Sequence, residues 1–286
     1  MIAAIAQNQV DDDLSVTLER SLNSIRDAAK ACADLIVFPE LWNSPFINRK
    51  ILEHQSDSDS ILDAFSHAAK AEKIWIVAGT IPFRRKDGHL YNTCFVFDDQ
   101  GKIVTSADKL HLLEVHTSKN DYREVDVFTP GSRIVSFDSP WGRIGIVICM
   151  DTRFCEISRL LSQDCFLLCA CCAFNSQAGR KHWMPLMQAR AIENEVFVLA
   201  ANPAEADYGN YSGYGHSMAV DPDGQIVAAL DGKPGLLLVD IDPNAVKRIR
   251  QRSPYWQLRR TDLYRLEEIG PSDQNGEDDP DKSLNT

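Results

Sequence analysis

No apolar run in the chain approaches the roughly 20 residues that span a bilayer, so no membrane-spanning helix and no membrane partner are expected. Positive charge is in short supply: 30 Lys and Arg face 41 Asp and Glu, for a formal net charge of −11. Nucleic acid is therefore not an expected partner, because phosphate binding needs a basic face. Glycine-rich loops of the G-x-G-x-x-G or Walker type are missing, so nothing supports nucleotide dependence. A Ser-His-Asp hydrolase would need a G-x-S-x-G-like elbow, and there is none. No fixed repeat and no Pro/Gly/Ser-rich linker divides the 286 residues, 44% of them hydrophobic, so one domain is expected. Met1 leads into I-A-A-I-A-Q without a basic leader and is soon followed by Asp11 to Asp13, which does not read as a signal peptide. Eight cysteines outside a small secreted chain read as free thiols of a reduced, cytoplasmic protein. Four of them fall between Cys165 and Cys172 inside one apolar run, where neighbours point to opposite faces. Zinc sites place their pairs on turns, so these four read as small core residues, and neither metal nor cofactor is expected.

What is there alternates. Ile2 to Gln7 reads as a strand, Leu14 to Cys32 as a helix with one apolar face, L-I-V-F-P (35–39) as a buried strand, Ser60 to Lys73 as a helix and Ile74 to Gly79 as a third strand. That order argues for a layered α/β sheet. Tyr91 to Asp98 and Lys102 to Ala107 form a hairpin across D-D-Q-G, and 111–128 reads as loop. Strands resume at Gly131 to Phe137 and Trp141 to Ile148, followed by a helix after Phe154 and a buried strand from Cys165 to Phe174. A helix from Arg180 to Asn194 and a strand over 196–201 come next. Hairpin strands over 214–220, 225–229 and 235–241 lead to a last helix from Pro243 to Arg252. Two packed sheets with helices on their outer faces are expected over residues 1–266. Residues 267–286 are expected to be a disordered, solvated acidic tail, since Ser272 to Thr286 carries five acidic residues against Lys282.

Three residues end apolar strands where polar side chains are out of place. Cys149 closes R-I-G-I-V-I and turns into a helix-forming segment, as the serine of a nucleophile elbow does, and a helix N-terminus behind it would favour thiolate. Alone, such a cysteine is more often a small core side chain. Glu40 ends L-I-V-F-P and either caps a following helix or lines a cleft at the strand ends, where partial burial would make it a general base. Lys109 in A-D-K-L-H-L is a surface lysine beside Asp108 if taken alone. Near Glu40 and Cys149 it would instead stabilise a thiolate and then an oxyanion.

In that chain order, Glu40 after V-F-P, Lys109 in D-K-L-H-L and Cys149 in I-C-M-D-T-R-F resemble the nitrilase superfamily of carbon–nitrogen hydrolases. The resemblance extends to Glu124 in Y-R-E-V-D-V-F-T-P-G, to A-F-N (173–175), H-W (182–183), Q-A-R-A-I-E-N (188–194), G-H-S (215–217) and R-R-T-D-L-Y (259–264). It implies a four-layer α-β-β-α sandwich and a Glu40-Lys109-Cys149 triad, with Glu124 placing Lys109 or the substrate amide. The backbone N–H of Met150 would serve an oxyanion, and Phe174 and Asn175 would line the pocket. F-P-E-L-W-N-S-P-F with A-F-N and H-W is most similar to the ω-amidase branch, which hydrolyses the terminal amide of dicarboxylic acid monoamides, although Met150 stands where that branch usually has Tyr. The implied mechanism is ammonia release through a thioester acyl-enzyme, in at least a homodimer joined through Ser253 to Tyr264. A substrate carboxylate would need a cation, Arg153 or Arg180, with Arg153 expected to pair with Asp151 or Glu156. His182 and Trp183 are expected to pack or line the pocket. The alternatives are an N-carbamoyl amino acid amidohydrolase of the same fold, nitrile hydrolysis, an idle scaffold, or a thiol redox sensor.

Overall fold

The computed structural model describes residues 1–116, 121–209 and 211–270. In chain order the elements are β1 (Ile2–Gln7), α1 (Leu14–Lys30), β2 (Leu35–Val37), α2 (Asn48–Glu53), α3 (Ser58–Glu72), β3 (Trp75–Arg84), β4 (Leu90–Phe97) and β5 (Ile103–Asp108). There follow β6 (Glu114–His116), β7 (Asp121–Arg123), β8 (Ser136–Ser139), β9 (Gly142–Ile148), α4 (Cys155–Leu161), β10 (Cys165–Cys171), α5 (Ser176–Ala178) and α6 (Met184–Asn194). The chain ends with β11 (Phe197–Ala201), β12 (Met218–Val220), β13 (Ile226–Ala229), β14 (Gly235–Asp240) and α7 (Asn244–Arg252). Two six-stranded sheets, β14-β1-β2-β3-β4-β5 and β13-β12-β11-β10-β9-β8, each have three parallel strands at the centre and antiparallel partners at the rims.

The layers follow from alternation. Ala3, Ile5, Leu35 and Val37 point inward and share one core with Ile144, Ile146, Leu168 and Ala170 of the second sheet. Their neighbours Ala4, Ala6, Ile36 and Phe38 point the other way, onto Ile25 and Ala28 of α1 and Ile61, Phe65 and Ala69 of α3. Leu161 of α4 and Met187 and Ala191 of α6 cover the second sheet. Strands buried on both faces read as continuous apolar runs, and the single-domain α-β-β-α sandwich is the result. The structure corrects the sequence reading in four places. The stretch 111–128 holds a small hairpin, β6 with β7, rather than loop alone. The strand expected from Gly131 begins at Ser136, and that expected from Tyr214 at Met218. The helix expected from Arg180 opens with a one-turn helix and a π-turn over Gly179–Trp183, where a Cβ on Gly179 would sit 2.3 Å from the Tyr214 ring. The acidic stretch 271–286 lies outside the described residues, as do residues 117–120 of the 111–128 stretch.

Candidate active site

Glu40 sits past the end of β2, where its main chain is tied to both sheets. Its N–H donates to the Cys172 carbonyl at 3.2 Å, while Thr80 N–H donates to Pro39 O at 3.2 Å and Leu41 N–H to Thr80 Oγ1 at 2.9 Å. No helix follows for it to cap; residues 40–44 form a turn. Gly79 permits this approach. Its φ is +62°, and a Cβ there would lie 2.0 Å from Pro39 O. The Glu40 side chain is wholly buried.

Lys109 follows β5 and is likewise wholly buried, so the surface reading fails. Its Nζ donates to Glu40 Oε1 at 2.7 Å and to Glu124 Oε1 and Oε2 at 2.9 and 2.7 Å. It also lies 5.8 Å from the Phe46 ring centroid. Burial alone would pull the ammonium pKa down, but Glu124, Glu40 and Cys149 outweigh it and hold it well above 10.5. Glu124, at the start of a short 3-10 turn, also accepts the Leu113 N–H at 2.5 Å. Burial pushes its carboxyl pKa up, opposed by Lys109 and reinforced by Glu40. One buried cation, Lys109, thus faces two buried carboxylates and stays charged.

Cys149 follows β9 at a φ of +41°, an uncommon left-handed position for a non-glycine, and begins the 3-10 turn Cys149–Arg153. It belongs to the inter-sheet core. Cys172 follows Cys171, the register partner of Ile148, and so stands beside it. The contact with Cys172, then burial, then the Glu40 carboxylate raise the Cys149 pKa well above 9.0, and Lys109 only partly offsets them. These surroundings favour the thiol over the thiolate, and behind Cys149 the chain runs into a five-residue 3-10 turn and then a seven-residue helix rather than directly into a helix N-terminus.

Asp151, two residues on, clamps this elbow to the Lys109 segment. Its carboxylate accepts the N–H groups of Leu110, His111 and Ile148 at 3.3, 2.9 and 3.3 Å and lies 2.8 Å from His111 Nδ1. Arg153 is thus not its partner, nor that of Glu156. The guanidinium lies 5.1 Å from the Phe174 ring centroid and 3.3 Å from His182 Nδ1, with no carboxylate partner among the described residues. Arg180 is exposed. Phe174 packs on Trp183 at 5.1 Å, and Asn175 Oδ1 accepts the Ala178 N–H at 2.8 Å, so that side chain serves as a helix cap. Met150 lies in the elbow turn itself. Three residues that sequence reasoning missed join the cluster: Asn92, whose Nδ2 donates to Glu40 Oε1 at 2.9 Å; Tyr122, tilted against the Phe46 ring at 5.4 Å; and Tyr211, stacked on Phe46, whose hydroxyl donates to Ala173 O at 3.2 Å. None stands in a motif that spacing alone would mark.

Glu40 lines a small cavity of about 10 Å³ with Ser44, Phe46, Ala173 and Tyr211, far below the roughly 300–1,000 Å³ of drug-sized sites. Neither Phe174 nor Asn175 lines it. A wider furrow along Arg133 to Asp138 is lined by no cysteine. Among the described residues no group of His, Cys, Asp and Glu is arranged to hold a metal ion, and no helix is long and apolar enough to cross a membrane.

Comparison with known proteins agrees with this geometry. The carbon-nitrogen hydrolase family profile matches residues 1–251. The omega-amidase NIT2 of Mus musculus is 35% identical over 94% of this chain and 98% of its own. The crystal structure of Saccharomyces cerevisiae Nit3, a member of branch 10 of the nitrilase superfamily, superposes with a TM-score of 0.83 at 31% identity, over 91% of this chain and 96% of that one. The C. elegans NitFhit protein gives a TM-score of 0.87 at 29% identity, over 96% of this chain and 68% of its own. The chain belongs to the carbon–nitrogen hydrolase family.

Proposed function

We propose that this protein is a cysteine amidohydrolase of the ω-amidase kind, releasing ammonia from small monoamides of dicarboxylic acids. The observation that carries the chemistry is the buried Glu40–Lys109–Glu124 cluster within electrostatic reach of a thiol on a left-handed elbow. The substrate class is supported by the omega-amidase relatives and by Arg153, which has no carboxylate partner of its own among the described residues. Glu40 takes the proton from Cys149 Sγ as the sulfur attacks the amide carbon. Lys109 and the Met150 N–H meet the charge that develops on the oxygen. The C–N bond breaks as Glu40 returns the proton to nitrogen, and ammonia leaves a thioester on Cys149. Water, deprotonated by Glu40, attacks the thioester carbon; the C–S bond breaks and the thiol is reprotonated. Glu124 holds Lys109, and Arg153 takes the free carboxylate beside Phe174.

The hydrolase unit is assigned to residues 1–266, with the acidic 267–286 outside it. A homodimer is supported by exposed Tyr255, Leu258, Leu263 and Tyr264 at the end of that unit. A cytoplasmic location is supported by the eight cysteines, all unpaired. Ammonia release from monoamides of succinate, glutarate and 2-oxoglutarate, an N-carbamoyl amino acid and an aliphatic nitrile tests the reading. Turnover of the monoamides is expected, with a KM raised about 10–100-fold in Arg153→Gln. Turnover of the carbamoyl compound alone would overturn it.

A further inference from the structure

The two oxygens of Glu40 are not equivalent. Oε1 accepts from Lys109 Nζ at 2.7 Å and from Asn92 Nδ2 at 2.9 Å. Oε2, equally buried, has no hydrogen-bond partner among the described residues, and Glu40 lines the cavity. Asn92 is itself buried in β4, and its own Oδ1 has no partner there either. Its backbone carbonyl accepts the Lys109 N–H at 2.9 Å, one step beyond the Thr93–Asp108 register pair. One residue therefore holds the carboxylate with its side chain and the lysine with its main chain. Turned the other way, the amide would set two acceptors face to face. The carboxylate dictates the orientation, and the amide leaves its carbonyl unpaired to serve it.

We infer that Asn92 is a positioning residue for the hydrolysis: with Lys109 it saturates Oε1 of Glu40, so that protons pass to and from Oε2 alone. The inference rests on the reading of Glu40 as base and Cys149 as nucleophile. The thiol proton, the proton given to the leaving nitrogen and the proton drawn from water all travel through one lone-pair-bearing atom whose direction is fixed. Without the Asn92 donor the carboxylate can turn about its last bond, both oxygens compete for Lys109, and the base loses its aim.

Asn92→Leu, close in volume, and Asn92→Ala, which leaves room, both remove the donor. The expected result in each is a kcat lowered about 10–100-fold, as for a lost hydrogen bond to a charged group, with KM changed less than about threefold. A merely structural role would lower the melting temperature and spare the kcat of the molecules that remain folded. Either folded variant with kcat within about twofold of wild type would overturn the inference. Glu40→Gln and Cys149→Ala run beside them separate the two levels. If both are inactive while the Asn92 variants are normal, only the role of Asn92 falls; if either retains full turnover, the underlying reading falls with it.

Discussion

At the residue scale, Lys109 decides the electrostatics. Replacing it with Met leaves two buried carboxylates without a counter-ion, a loss of about 3–5 kcal/mol. The pH dependence has a definite sign. The folded pKa of Lys109 lies above its unfolded 10.5, so its stabilisation is fully present below pH 10.5 and is lost as pH rises through the folded value. The folded pKa of Glu124 lies above 4.5, so its contribution is fully present below pH 4.5 and is lost as pH rises through the raised value. With the cation gone the carboxylate effect governs, and the Lys109→Met deficit should be larger near pH 8 than near pH 5. Urea titrations at both pH values check this; equal deficits would remove the carboxylates as its source. Glu40, Lys109 and Cys149 could be picked out beforehand because charged or nucleophilic residues at the ends of apolar strands are conspicuous, whereas Glu124 is marked only by the family resemblance of Y-R-E-V-D-V-F-T-P-G. Asn92 could not, since a lone Asn in L-Y-N-T-C has no period to betray it. Asp151 misled for a related reason: Arg153 is its neighbour in sequence, but the backbone donors of Leu110 and His111 reach it through the fold.

At the element scale, both sheets were legible where alternating faces are buried against different layers, as in Ala3 to Ala6. The β6–β7 hairpin was not, because it buries too little apolar surface to leave a pattern, and neither was the π-turn, which Gly179 and Tyr214 impose by packing. The placing of Glu40 depends on the close approach of β3 at Gly79. Gly79→Ala should cost about 3 kcal/mol, combining a left-handed backbone with overlap on Pro39 O. Gly88→Ala, at a φ of +82° with open space around it, should cost only about 1–2 kcal/mol. Thermal unfolding of the two variants measures the difference, and Gly79→Ala should also lower kcat. Equal costs would mean that the contact with Pro39 carries no weight.

At the scale of the whole molecule, the last described stretch carries Leu258, Leu263 and Ile269 at 68, 70 and 93% exposure, apolar side chains available to the proposed homodimer contact. Sedimentation should find a dimer, and Leu258→Asp with Leu263→Asp should shift it to monomer; an unchanged sedimentation coefficient would place the interface elsewhere. The central claim is nevertheless about one sulfur atom. Mixing the protein with a dicarboxylate monoamide and quenching within the first turnover, followed by mass spectrometry of the intact chain, tests it most directly. The account predicts an acyl adduct at Cys149 with ammonia already released, and neither adduct nor turnover in Cys149→Ala. Ammonia released at the wild-type rate by Cys149→Ala would contradict it.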